Sequence, residues 1–223
     1  MTDIADCRKT LSTAEGDVTI YSLKELEKQG VIKDLSKMPY SIRVLIESLL
    51  RQKDGRLITD DDVKRIASWN AQDNGDSDIP FIPARVLLQD LTGGAAVVDL
   101  ASMRAAVADI GKDPSMINPL VPVDLVIDHS IHVDVAGCPE AQEKNEEIEF
   151  ERNKERYALF KWAQNSFRNF RVVPPGKGIC HQVNLECRSP LVHCVDTENG
   201  KVAYPDSCFG TDSHTTQIDG LGV

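Results

Sequence analysis

Four polar clusters in this sequence combine side chains that can move protons or hold anions, and each follows or flanks a short apolar run. They are Gln89-Asp90 after PARVLL, Asp128-His129-Ser130 after VDLVI, His181-Gln182 after PPGKGIC, and Asp212-Ser213-His214-Thr215-Thr216. An Asp beside a His raises the proton affinity of the imidazole and loads it as a general acid. On an extended segment Asp128 and His129 point apart, but in a turn both can face one cleft. Asp212, Ser213 and His214 offer three donors or acceptors within one turn. Taken singly, each Asp or Ser reads first as a turn or helix cap, and each His as a buried polar group with its hydrogen bonds met. Of the five histidines, His129, His132, His181 and His214 lie in or beside these clusters. That concentration favours a shared site.

Other chemistries fit less well. Cys180, Cys187 and Cys194 recur every seven residues beside His181 and His193, but no CxxC pair occurs and the spacing is wrong for a zinc finger or ribbon. Reduced, buried thiols are the simpler reading of the cysteines. A Ser–His–Asp hydrolase lacks its GxSxG elbow, and the nucleotide-binding patterns GxGxxG and GxxxxGK[ST] are both absent.

The elements that must position these clusters follow from periodicity. Residues 1–70 read as an N-terminal helical segment. Ser22 and Glu25 have capping-box spacing with Gly30 as the stop; Ile42, Leu45, Ile46 and Leu49 share a helical face; Thr59 and Asp62 start a helix carrying Val63, Ile66 and Ala67. Residues 70–78 read as a loop. Residues 71–223 read as an α/β domain. Within it, Phe81 to Leu88, Ala95 to Leu100 and Val121 to Ile127 are expected as buried strands, with Thr92-Gly93-Gly94 as a turn and Met103 to Ile110 as a helix closed by Gly111. Glu140 to Asn169 is expected as one long helix. Its alternating charges read as a solvated face, and Phe150, Tyr157, Phe160, Lys161 (by its stem) and Phe167 as its buried stripe. Strand–helix–strand order implies an α/β fold with a largely parallel sheet flanked by helices. In such sheets ligands bind beyond the carboxyl ends of the strands, where the polar clusters fall.

Composition narrows the class. The 223 residues are 41% hydrophobic and 27% charged, ordinary for a globular protein. The net charge of −10 and pI near 5.0 argue against a general nucleic-acid binder. The short basic run Arg168 to Arg171 reads as a helix end. No apolar run is read as a membrane span, and the N-terminus MTDIADCRKTLST has neither a secretory h-region nor a transit-peptide composition. A cytoplasmic location is expected.

Six stretches carry a specific resemblance: MPYSIRVLIESLLR, PARVLLQDLTGGAAVVDLASMR, VPVDLVIDHSIHVD, NEEIEFERNKERYALFKWAQNSF, VVPPGKGICHQVNLE and YPDSCFGTDSHTTQIDGLGV. In this order they resemble the aconitase superfamily, over about residues 20–223. Within it the chain looks like the group of bacterial aconitases, iron-regulatory proteins and iron–sulfur 2-methylcitrate dehydratases. The resemblance implies a hydro-lyase of the tricarboxylic acid cycle that interconverts citrate and isocitrate through cis-aconitate. In that family a 4Fe–4S cluster held by three Cys offers one iron to the substrate as a Lewis acid. The resemblance assigns Gln89 and Ser213 to substrate carboxylates and makes Asp128 and His129 the acid pair. It puts His181 near the iron, and Asp212 and His214 at the iron-bound water. The cluster cysteines, the carboxylate-binding arginines and the serine base lie further along in the family, so no metal ligand is assigned here. The chain ends at Leu221-Gly222-Val223, inside a family motif. A fragment, a truncated product or one piece of a split enzyme is therefore expected, needing the C-terminal domains in cis or in trans. Alternatives are a 2-methylcitrate dehydratase fragment, an RNA-binding regulator and a non-catalytic module. SPLVHCVDTENGKVAYPDSCFGTDSHT leans toward the dehydratases, Gln89 and HTTQIDGLGV toward aconitase.

Overall fold

The computed structural model describes residues 3–72, 78–180, 189–218 and 222–223. The chain forms two compact units, Met1–Ala84 with Pro190–Ser207, and Arg85–Ser189 with Cys208–Val223.

The first unit opens with strands β1 (Arg8–Thr13) and β2 (Gly16–Tyr21), so the helical reading of residues 1–70 is corrected at its start. They pair antiparallel, Arg8 opposite Tyr21, around a tight turn that Gly16 closes at φ +118°. The signal missed is the polar alternation RKTLST, too weakly apolar to register as a strand. Helices α1 (Leu23–Lys28), α2 (Tyr40–Gln52) and α3 (Asp60–Ala67) follow. The capping box expected at Ser22 does not form: Ser22 is the N-cap but its hydroxyl caps nothing. The box at Thr59 and Asp62 forms in full. Leu26, Ile46, Leu49, Ile58 and Val63 close the core of this unit. Strands β3 (Arg85–Gln89), β4 (Val123–Val126) and β5 (Phe170–Val173) belong to the second unit. The hairpin β6 (Val192–Thr197) and β7 (Gly200–Pro205) returns to the first, giving a sheet of order β1-β2-β7-β6.

The second unit holds a four-stranded sheet of order β5-β4-β3-β8, with β8 at Cys208–Gly210, and every pairing in it is parallel. The chain crosses from β3 to β4 through helix α4 (Asp90–Asp109), and from β4 to β5 through α5 (Ala141–Arg152) and α6 (Lys154–Ser166). Alternate residues serve opposite faces, as the two-residue period requires. Leu88, Val123, Leu125, Ile127 and Phe170 pack with Val97, Phe160, Ala163 and Phe167 from α4 to β5. Leu87, Val126 and Val173 pack with Cys180 and Cys208 on the other side.

Several expectations fail here for identifiable reasons. Residues 92–94 are not a turn and 95–100 are not a strand: both lie inside α4. Gly93 marks close packing rather than a turn, since a Cβ there would sit 2.6 Å from Leu88 Cβ. The long charged helix is two, divided at Asn153, and Phe150 is exposed while Glu149 is buried. By length and composition α4 could also cross a membrane, contrary to the reading that no run is apolar enough. It carries Asp99, Arg104 and Asp109, and Arg104 caps the Ile117 and Ser166 carbonyls at 3.0 and 2.9 Å. Such contacts suit a helix packed on a sheet. Arg171 of the basic run lies in β5 rather than at a helix end and makes two bonds, 2.6 and 2.8 Å, to the buried Asp124 of β4.

Candidate functional site

The carboxyl ends of β3, β4 and β8 bring three of the four clusters into the second unit. Gln89 ends β3 and is the N-cap of α4, without a side-chain capping bond; its N–H donates to Thr211 Oγ1 at 3.2 Å. Thr211 also bonds Thr92 Oγ1 at 2.8 Å and donates its N–H to the Leu87 carbonyl, tying the end of β8 to the end of β3. Asp128 and His129 follow β4, where the chain leaves the sheet and the two side chains part.

Asp128 is 4% exposed. Its Oδ2 accepts the Cys180 N–H at 3.3 Å, and its Oδ1 has no hydrogen-bond partner among the described residues. A carboxylate oxygen of Asp128, one of Asp212 and the Cys180 sulfur all lie within 4.8 Å of one another. The Cys180 thiol reaches Asp212 Oδ2 and Thr215 Oγ1, each at 3.9 Å. Burial is the largest influence on that thiol and pushes its pKa up to about 11. At neutral pH it therefore keeps its proton and can donate it to Asp212.

His129 turns to a different set of partners. Its Nδ1 lies 2.8 Å from Asp90 Oδ2, and its Nε2 2.5 Å from Glu149 Oε1. Asp90 and Glu149 are 1% and 2% exposed. Asp90 Oδ2 also accepts Arg156 Nη1 at 2.9 Å. Glu149 Oε1 accepts Tyr157 Oη at 2.6 Å and Asn153 Nδ2 at 2.8 Å. Burial opposes the charge on His129, but the hydrogen bond to Glu149 and the proximity of Asp90 outweigh it and raise the pKa above the ordinary 6.5. Glu149 lies below its ordinary value despite desolvation, held there by Tyr157 and His129. Desolvation and the bond to Glu149 push the Tyr157 hydroxyl up.

Asp212 and His214 pair at 3.2 Å, the imidazole exposed, and Ser213 is exposed beside them. Thus Asp128 and Asp212 meet, His214 joins them through Asp212, and His129 is drawn away toward α5 and α6. His181 and Gln182 lie outside the described residues.

By sequence, Asp90 falls in the Gln89-Asp90 cluster without a role, Glu149 on a solvated face and Tyr157 in a buried stripe, and Glu149, Arg156 and Tyr157 are not assigned to the site. Positions 149, 153, 156 and 157 fall at i, i+4, i+7 and i+8, a polar stripe at core spacing, and that was the available signal.

A 4Fe–4S cluster needs three converging thiolates. Cys7 and Cys194 belong to one unit, Cys138, Cys180 and Cys208 to the other, and Cys187 lies outside the described residues. No group of three cysteines converges among the described residues. This donor set does not fit a cluster, and no chemistry is derived through one.

A parallel sheet with acid, imidazole and hydroxyl groups gathered beyond its strand ends is the arrangement of an α/β enzyme that binds a small polar ligand. Residues 61–223 match the model of the Aconitase family (aconitate hydratase), and the chain belongs to that family. It is 52% identical over 221 residues to aconitate hydratase A of Bacillus subtilis, covering 99% of this chain and 24% of the relative. It is 53% identical over 215 residues to aconitate hydratase A of Thermus thermophilus, covering 96% and 24%. With aconitate hydratase A of Staphylococcus aureus (strain MRSA252) it shares 55% over 205 residues, covering 92% and 22%. The chain thus spans about a quarter of the length of these curated relatives.

Proposed function

We propose that this chain is the N-terminal portion of an iron–sulfur hydro-lyase that interconverts citrate and isocitrate through cis-aconitate. The observation that carries the reading is the meeting of Asp128 and Asp212 at the carboxyl end of the sheet, with one buried Asp128 oxygen unpartnered among the described residues. An unpaired, desolvated carboxyl oxygen is costly to a fold and suits a group reserved for a ligand.

In this reading Gln89 and Ser213 bind carboxylates of the tricarboxylic acid. Asp128 and His129 form the acid side of the site. His181, Asp212 and His214 complete the polar wall. The remaining family sequence, in cis or in trans, supplies the cluster cysteines and the serine base; the cluster, when bound, contributes Lewis acidity. The outer face of α4 favours such further domains: Leu91, Val98 and Met103 are at least half exposed, and apolar surface of this kind is normally covered. A cytoplasmic location accompanies the reading.

The test is to follow dehydration of citrate, isocitrate and 2-methylcitrate by the chain alone, then with the remaining family sequence added under anaerobic cluster reconstitution. Turnover of citrate and isocitrate only after addition, abolished by Asp128→Asn, is the expected result. Turnover by the chain alone, or none after successful reconstitution, overturns it. Preference for 2-methylcitrate would move the chain to the dehydratases.

A further inference from the structure

We infer that Asp90 and Glu149 are positioning residues: they grip the two ring nitrogens of His129, hold it as an imidazolium, and fix the turn that carries Asp128 beside it. The inference rests on the hydro-lyase reading for its catalytic meaning, but not for its chemistry.

Hydrogen-bond counting leads to it. Glu149 Oε1 receives three donors at once, from His129, Tyr157 and Asn153. An oxygen so surrounded suits the ionised carboxylate, which is acceptor-only, and against desolvation the bonds from Tyr157 and His129 hold Glu149 below its ordinary value. Asp90 Oδ2 likewise faces Arg156 and His129 together. A neutral imidazole carries a single N–H, so its other nitrogen would set a lone pair against a carboxylate at 2.5 or 2.8 Å. The doubly protonated ring satisfies both contacts against ionised carboxylates.

Charge gives the same answer. Asp90 and Glu149 bring two negative charges, and Arg156 brings one positive charge. Nearby Arg152 is committed to Asp134 at 3.0 Å. Tyr157 is neutral, its ionisation opposed by burial and by Glu149. Among the described residues, the adjacent Asp128 is bonded instead to the Cys180 N–H. An imidazolium balances the cluster, and burial makes that balance matter.

The consequence for the acid pair is specific. Adjacent in sequence, Asp128 keeps an oxygen unpartnered among the described residues, beside Asp212. The grip on the ring fixes the turn after β4, and with it the direction of Asp128. The clamp spans β4, α4, α5 and α6, so misplacing any of its members would reach the site through that turn.

The experiment uses the 223-residue chain with ¹⁵N-labelled histidine. At neutral pH the expected signature of His129 is two protonated ring nitrogens with slowly exchanging hydrogens. Glu149→Gln should discharge the ring at neutral pH and return its titration toward the ordinary histidine range. Asn153→Ala removes a hydrogen bond but no charge, and should leave the ring charged. A neutral ring in the unsubstituted chain overturns the inference, as does Glu149→Gln leaving it charged or Asn153→Ala discharging it.

In the reconstituted enzyme, Glu149→Gln should lower kcat about a hundredfold with little change in KM and displace the pH profile, as misplacement of a reacting group does. Unchanged kcat, or loss confined to KM, overturns the positioning role. If the unsubstituted reconstituted enzyme is inactive, the hydro-lyase reading fails while the ring measurements still decide the clamp.

Discussion

The two sheets of this molecule are built on opposite terms. In the first unit β1 is exposed at all six positions and β6 at five of six, and the core lies among the helices. In the second, all four residues of β4 are buried and both faces of the sheet are covered by side chains. Each unit also pairs a histidine with carboxylate. Among the described residues His193 has one such partner, Asp206 at 2.7 Å, and stacks on Tyr204, itself under the Arg51 guanidinium at 3.8 Å. His129 has two. The comparison teaches where chemistry can be held. A buried parallel sheet aims its strand ends at one edge and excludes water there, so charges at that edge act strongly on one another. In the exposed, hairpin-edged sheet most strand positions face solvent, while its one described His–carboxylate pair, His193 with Asp206, is itself largely buried.

The two tryptophans report separately on this contrast, Trp69 in the first unit and Trp162 in the second. The largest effect is expected from Phe160→Ala, which empties the centre of the buried core. It should cost about 3–5 kcal/mol, read as an early denaturant transition of Trp162. Next comes Gly93→Ala. In an open helix this change is favourable by about 1 kcal/mol. Here the new Cβ meets Leu88 Cβ at 2.6 Å, and the substitution should destabilise by about 1–3 kcal/mol. Stabilisation would show that α4 packs less closely than described.

The pH dependence sharpens the comparison of the two histidines. The pKa of His129 is raised in the fold, so its contribution is complete below the ordinary 6.5 and is lost as pH rises through the raised value. That of Glu149 is lowered, so its contribution is complete above the ordinary 4.5 and is lost as pH falls through the lowered value. Together they should stabilise the second unit most between pH 4.5 and 6.5. Urea unfolding followed at Trp162 should show that window, and His129→Asn should flatten it. A pH response unchanged in the variant would remove His129 from the balance.

Smaller effects belong to the first unit. Thr59→Ala deletes the cap of α3 and should cost about 1 kcal/mol at Trp69. Leu11→Ala, on the exposed β1, should stay within about 0.5 kcal/mol. A loss there comparable to Phe160→Ala would mean that the sheet of the first unit is not the open surface it resembles here.

Much of this was legible in the chain itself. VDLVI announced a buried strand ending at Asp128, and Thr59 with Asp62 announced the start of α3, because each signal is complete within a few residues. The segments of family sequence singled out Asp128, Asp212, Ser213 and His214 as candidates, since those motifs are continuous, and the structure brings Asp128, Asp212 and His214 together. Periodicity failed where a local pattern had two solutions. Gly93-Gly94 followed by AAVV can be a turn and a strand, and only the approach of Leu88 shows why glycine stands in a helix. The clamp was beyond any local reading. Asp90 and Glu149 lie 39 and 20 residues from His129, and a charged side chain in a charged helix looks solvated until the fold removes the water. Sequence alone determined which groups were available and which strand ends would carry them. Tertiary structure decided which carboxylates face which nitrogens, because desolvation and pairing depend on three-dimensional neighbours that no window of sequence contains.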